Sequence, residues 1–180
     1  GLGDVYKRQE YSLLDGTCRI GQLVDAAKEL NMDSLAITDH GNMFGAVEFY
    51  KAAKENGIKP IIGCEVYVAP RSRLDKVHGI DNERFHLVLL CKNNTGYENL
   101  IKIVSESWVT GFYTKPRIDK QLLEKYHEGL IALSACLAGE IPRKLLQDDY
   151  DGAKEAAIWY DKTFGLSLIH ISEPTRHSLI

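Results

Sequence analysis

The sequence predicts an α/β fold in which short buried strands alternate with amphipathic helices around a parallel sheet. Two observations predict it. Apolar runs of strand length recur along the chain, and the segments between them carry apolar residues at helical spacing. Periodicity does not distinguish an open doubly wound sheet from a barrel. The sequence contains no internal repeat or linker, which predicts one domain.

The first half of the chain predicts two helices with a strand between them. The first helix ends at Asn31, and the second is closed by Asn56-Gly57, a pair typical of helix C-termini. The run 34–38 (SLAIT) reads as a short buried strand. The apolar positions that define the two helical stripes are Ile20, Leu23, Val24, Ala27 and Leu30, then Ala46, Val47, Tyr50 and Ala53.

The second half continues the alternation. Strands are predicted at 61–68, 85–91 and 130–134, where apolar residues follow one another with little interruption. Helical spacing recurs after each of the last two strands. The helical segments are 97–104, 141–146 and 153–160.

Composition narrows the class of protein. Hydrophobic residues make up 44% of the 180 residues and charged residues 26%, as in an ordinary globular protein. The formal net charge of −3 lacks the basic excess that usually accompanies duplex binding. The apolar runs are too short for a membrane span. The four cysteines, without a C-x-x-C pair, favour a reducing cytoplasm over a disulfide framework.

Several potential metal ligands lie at or near the predicted strand ends. Asp39 and His40 follow the strand SLAIT, Glu65 lies in IIGCEVYV, His86 lies in FHLVLL, and Cys136 follows LIALS. Side chains at the carboxyl ends of parallel strands gather at one edge of the sheet. Imidazole, carboxylate and thiolate suit zinc, and imidazole with carboxylate also suits manganese or iron.

Each of these residues also has a structural interpretation. His86 fits a hydrogen-bonded core histidine, Cys136 a small buried apolar residue, and Asp39 a cap of the following turn. Glu65 is different, because a carboxylate in an apolar strand requires a cation, an arginine or a metal as partner. Both interpretations stay open on the residues alone.

A small basic cluster near Tyr113 is a second candidate site. Lys115, Arg117 and Lys120 lie close together in YTKPRIDKQ. Such a cluster can contact phosphate, but a solvated surface has the same composition.

Long runs of the sequence resemble one known family. The runs are ITDHGNMFGAVEFYKAAK, FHLVLLCKNNTGYENLIKIVS and GLIALSACLAGEIPR. They are similar to the N-terminal PHP (polymerase and histidinol phosphatase) domain of bacterial DNA polymerase III alpha subunits. The similarity runs from Glu10 to about Gly165, so that residues 10–165 are identified as a partial PHP domain.

The resemblance implies a distorted β/α barrel, seven-stranded in the family, with up to three divalent metals at the strand ends. It implies zinc or manganese, with iron or magnesium as alternatives. Asp39 is implied to orient the ligands, and we expect Lys115 and Arg117 to be phosphate contacts. The implied metal ligands are Asp15, His40, Glu65, His86 and Cys136.

The resemblance also implies a function. The parent protein would be the cytoplasmic replicative DNA-directed DNA polymerase, a nucleotidyltransferase acting on primer-template and dNTPs together with the proofreading subunit and the sliding clamp. The PHP domain would act in 3′–5′ proofreading or as structural support. The alternative is a free-standing metal-dependent phosphoesterase. The polymerase carboxylates lie downstream in the family, so we expect no polymerisation by these residues.

The chain departs from the family pattern at both ends. The family opens with H-x-H, and the aligned residues here are Tyr6 and Arg8. Arginine cannot act as a neutral imidazole ligand. We therefore expect residues 1–9 and 166–180 to be foreign sequence, the barrel to be incomplete, metal binding to be weak or partial, and hydrolysis to be absent.

Overall fold

The computed structural model describes residues 19–165 in full and, outside that range, the backbone pairing of two short strands. The predicted α/β fold is confirmed. The strands are β1 (Tyr6–Lys7), β2 (Ser34–His40), β3 (Lys59–Val68), β4 (Phe85–Cys91), β5 (Arg117–Ile118), β6 (Leu130–Leu133) and β7 (Leu168–Ile169). The helices are α1 (Ile20–Glu29), α2 (Ala46–Glu55), α3 (Asn94–Val109), α4 (Lys120–Tyr126), α5 (Glu140–Leu146) and α6 (Tyr150–Phe164).

One mixed sheet runs through the domain in the order β1-β2-β3-β4-β6-β7. β1, β2 and β3 are parallel to one another, whereas β4 runs antiparallel to both β3 and β6. The predicted all-parallel sheet is therefore wrong at β4. The reason lies in residues 69–84, which join β3 to β4 without a helix, whereas a parallel neighbour needs a long crossover connection, usually helical.

β5 extends the sheet beyond the end of β2. It pairs in parallel with Tyr67 and Val68 of β3, whose other edge carries β4. α4 follows directly, and the Asp119 side chain caps it by accepting a hydrogen bond from the Leu122 amide. The sequence reading missed both elements, because two and seven residues are too few to show a period.

α1 and α2 cover the outer face of β2, but α2 presents a different face from the one predicted. Phe49 is fully buried, whereas Val47 and Tyr50 of the predicted stripe are 59% and 48% exposed. Leu30, predicted to close the α1 stripe, is 71% exposed. The residues of this cluster are Ile20, Leu23, Val24, Ala27, Leu35, Ile37, Phe49, Ala53 and Ile58.

A larger cluster joins the outer faces of β3, β4 and β6 to α3, α4 and α6, and it includes Leu89, Leu100, Leu123 and Phe164. The inner face of the sheet carries a smaller cluster of Ala36, Val88, Leu90, Leu133 and Ala135. None of the helices in the described ranges has the length and apolar content that a bilayer crossing requires.

Candidate metal centre

Three of the predicted ligands meet on the inner face of the sheet. His40 ends β2, and its register partner on β3 is Glu65. The Nδ1 atom of His40 lies 3.0 Å from Oε1 of Glu65. The Nδ1 atom of His86 lies 2.8 Å from the same oxygen. One buried carboxylate oxygen is therefore contacted by two imidazoles.

The reversed direction of β4 brings His86 to this edge. Because β4 is antiparallel to β3, the start of β4 lies beside the end of β3, and His86 is the register partner of Tyr67. Side chains two residues apart in a strand share a face, so Glu65 and Tyr67 point to the same side. His86 therefore reaches Glu65 diagonally across the strand pair.

Tyr67 forms a wall of the site that the sequence reading missed. Its ring is parallel to that of His40, with the centroids 6.4 Å apart, and meets the ring of His86 edge-on at 5.3 Å. The residue is 5% exposed. The signal that could have found it is the period-2 spacing from Glu65 within one strand.

The turn after His40 is fixed from three sides. Gly41 has φ +65°, a conformation that favours glycine, and a Cβ there would overlap the ring of Pro116. The Gly41 amide donates to the Glu65 carbonyl at 2.8 Å, and Nε1 of Trp108 donates to the Gly41 carbonyl at 2.7 Å. These contacts hold the end of β2 against β3.

The surroundings of Glu65 favour the ionised form of its carboxyl group. Burial favours the neutral acid, but the contacts with His40 and His86 outweigh that effect and hold the pKa of Glu65 well below its usual range. The residue is 3% exposed. A buried carboxylate held in the charged form is an electrostatic site for cations.

The three residues fit a divalent metal in donor chemistry, since two imidazoles and a carboxylate suit zinc, manganese or iron. Their spacing also fits, because ligands of one metal with bonds of about 2.0–2.2 Å lie about 3 Å or slightly more from each other. As placed, however, the described residues include no group of three or more His, Cys, Asp or Glu that could hold a metal ion.

Two further residues predicted at this site, Cys136 and Asp39, lie within the described part of the chain. Cys136 is half-buried after β6, and the backbone links its segment to the site through the bridge between Gly139 and His86. Asp39 is buried, and its carbonyl accepts from Sγ of Cys64 at 3.3 Å. Asp15 lies outside the described residues. The roles of these three residues stay predictions.

Arg117 does not have the role that was expected. It is 1% exposed, and its guanidinium donates to the carbonyls of Gly111, Arg73, Asp75 and Asp81 at 2.7–3.3 Å. Burial lowers its pKa, partly offset by the nearby Asp81. The phosphate contact predicted at Arg117 is therefore corrected, because its donors already hold the loop 69–84.

Lys115, in contrast, is exposed and lies at the site. Its Nζ is 5.9 Å from the centroid of the Tyr67 ring. Lys120, the third member of the basic cluster, points elsewhere and pairs with Glu140 at 2.8 Å. The cluster read from the sequence is thus divided among three separate environments.

Comparison with known proteins places this geometry in a family. The PHP domain model matches residues 6–171. The chain belongs to the PHP domain family. The fold agrees with solved structures. This PHP domain superposes on an amidohydrolase from Chromobacterium violaceum, which was solved with sulfate and without metal, with a TM-score of 0.51. The sequence identity is 15%, and the superposition covers 94% of this chain and 85% of that one. A protein from Bifidobacterium adolescentis assigned as a metal-dependent phosphoesterase gives 0.50 at 12% identity, with the same coverage of both chains.

Sequence similarity points to a narrower group. The PHP domain is 50% identical over 162 residues to the DNA polymerase III alpha subunit of Borreliella burgdorferi, which covers 89% of this chain and 14% of that protein. It is 49% identical over 154 residues to the alpha subunit of Thermus aquaticus, covering 83% and 13%. The chain thus spans about one seventh of the length of these relatives.

Proposed function

We propose that this chain is the PHP domain of a bacterial replicative DNA polymerase III alpha subunit, and that in the intact parent protein the inner face of this domain binds divalent metal, either for phosphoester hydrolysis or as structural support. The observation that carries the proposal is the single Glu65 oxygen contacted by His40 and His86. The 50% identity to an alpha subunit supports the choice of parent.

In this proposal His40, Glu65 and His86 hold the metal, with Asp15 and Cys136 as further ligands and Asp39 as their support. A bound zinc or manganese ion would supply an activated water and stabilise charge on phosphate oxygens. The protein's own part is to keep Glu65 ionised and the imidazoles oriented. Lys115 contacts the phosphate of the substrate.

The parent would be a cytoplasmic DNA-directed DNA polymerase that acts on primer-template and dNTPs within a holoenzyme containing a proofreading subunit and a sliding clamp. The PHP domain would contribute 3′–5′ hydrolysis or structural support. The foreign origin of residues 1–9 and 166–180 stays a prediction that resequencing the locus tests.

The alternative, a free-standing phosphoesterase, has the fold of the Bifidobacterium protein in its favour. That likeness is at 12% identity and concerns architecture. The identity to alpha subunits is about four times higher, and it favours the polymerase.

The test compares metal content and hydrolysis in two backgrounds. The present chain and a version with Tyr6→His and Arg8→His, which restores H-x-H, are loaded with zinc or manganese. Each is assayed for bound metal and for release of nucleotides from a 3′ end. We expect substoichiometric metal and no hydrolysis in the first, and gain of both in the second, abolished by Glu65→Ala. Metal binding that does not respond to Glu65→Ala would contradict the assignment of the site.

A further inference from the structure

Two cations border the metal centre from different parts of the chain. The guanidinium carbon of Arg84 lies 5.8 Å from the centroid of the Tyr67 ring, and Nζ of Lys115 lies 5.9 Å from the same point. Tyr67 in turn contacts both His40 and His86. The two positive groups are therefore placed around the ring that walls the centre.

Arg84 has an unused donor. Its Nε is buried and, within the described part of the chain, has no hydrogen-bond partner. Nη1 of the same guanidinium donates to the carbonyl of Asn82 at 3.2 Å. A buried guanidinium N–H without an acceptor is costly, and the group is suited to a planar or tetrahedral oxyanion.

Two carboxylates near these cations have other partners within the described part of the chain. Glu65 is contacted by the two imidazoles, and Glu83, the neighbour of Arg84, pairs with Arg143. Both cations lie within about 6 Å of the Tyr67 ring, the distance range of cation–π contacts. Two positive groups beside one buried ring favour the binding of an anion at this place.

We propose that Arg84 and Lys115 form an anion clamp that binds a phosphate group of the substrate independently of metal. The clamp deepens the proposed function and rests on it only for the identity of the substrate. Arg84 supplies the fork of donors and Lys115 a movable point charge. Arg84 thus has the phosphate-contact role that was predicted from the sequence for Arg117.

The test measures binding in the metal-free chain. The probes are inorganic phosphate and a short single-stranded oligothymidylate, with and without a terminal phosphate. The variants are Arg84→Gln, Lys115→Gln and the double variant. A matched control is Lys102→Gln with Lys125→Gln, because these two lysines also lie over one ring, that of Tyr126, at 5.5 and 5.0 Å. Urea midpoints establish that all variants are folded.

We expect each clamp substitution to weaken binding about tenfold, the loss expected for one charge-assisted hydrogen bond, and the control to bind as the unaltered chain does. For the oligonucleotide, the slope of log affinity against log salt should fall by about 0.7 for each contact removed. A requirement for the terminal phosphate identifies a monoester as the ligand, and indifference to it identifies the nucleic-acid backbone.

The clamp is refuted if the metal-free chain binds neither probe, or if the control pair loses as much affinity as the double variant. Hydrolysis is not part of this readout. Phosphate binding lost in the double variant of a chain that never hydrolyses DNA would sustain the clamp and remove the catalytic proposal. Hydrolysis by a chain that does not bind phosphate without metal would remove the clamp and sustain the catalytic proposal.

Discussion

Arg117 should be a structural residue, and Arg117→Ala tests this directly. The side chain is fully buried and holds the loop 69–84 through carbonyls of Arg73, Asp75 and Asp81. Its two shortest contacts, 2.7 and 3.0 Å, are charge-assisted hydrogen bonds that contribute about 1.5–3 kcal/mol each. The loop carbonyls regain water in part, so we expect a loss of about 3–4 kcal/mol in the free energy of unfolding.

Urea unfolding, followed by the midpoint at constant slope, measures this loss. Arg117→Lys keeps the charge but offers one donor centre instead of a fork, and should fall between the unaltered chain and Arg117→Ala. The control is Lys144→Ala, which removes a half-exposed pair with Asp149 and should cost about 0.5 kcal/mol. If Arg117→Ala costs no more than Lys144→Ala, the structural role is wrong.

Three further predictions concern packing and titration. Gly96→Ala should destabilise the domain in urea unfolding, because the added Cβ would overlap the Gly129 carbonyl. Gly21 has open space around it, so Gly21→Ala should instead stabilise α1 by about 0.5–1 kcal/mol. Equal changes in the free energy of unfolding for the two variants would contradict the packing around Gly96. Burial raises the pKa of Cys64 strongly and that of Cys91 to about 12, so mass spectrometry should find both thiols unalkylated near neutral pH until the chain is unfolded. Burial and Glu140 raise the pKa of Tyr160, so the folded state keeps the phenol proton to higher pH than the unfolded state does. The free energy of unfolding should therefore fall above about pH 10. Tyr160→Phe should lose less stability over that range, and an identical loss would show that Tyr160 is not the group responsible.

The elements that the sequence predicted well are those whose pattern is local. The β4 bounds agree residue for residue, and Asn56-Gly57 ends α2 as expected, with Gly57 at φ +73°. The exposed faces of the helices were harder to predict from the sequence. Tyr50 and Val47 fit a helical stripe, but Phe49, a large side chain without a polar group, packs against β2 and sets the rotation of α2. Helical spacing shows which residues share a face, but the face that is buried depends on the packing of the helix against the sheet, which the spacing does not show.

The basic cluster shows a similar limit. Lys115, Arg117 and Lys120 lie within six positions in the sequence, and their charges alone predict one surface. In the fold one is exposed at the site, one is buried beneath a loop and one pairs with Glu140. Arg84, distant in sequence, is the cation that joins Lys115 beside Tyr67. Sequence proximity was thus a poor guide to which charges act together.

The meeting of His86 with Glu65 was predicted for a reason that holds only in part. The prediction assumed that ligands gather at the carboxyl ends of parallel strands, and it holds for His40 and Glu65, which end or lie near the end of parallel strands. His86 is the second residue of an antiparallel strand. Had β4 been parallel with the same sequence, His86 would lie toward the opposite edge, about four residues or roughly 13 Å away. The helix-free connection 69–84 therefore does more than join two strands, because by reversing β4 it delivers the second imidazole to the carboxylate. Arg117 donates hydrogen bonds to three carbonyls of that connection. Loss of Arg117 should therefore destabilise the fold and also loosen the approach of His86 to Glu65.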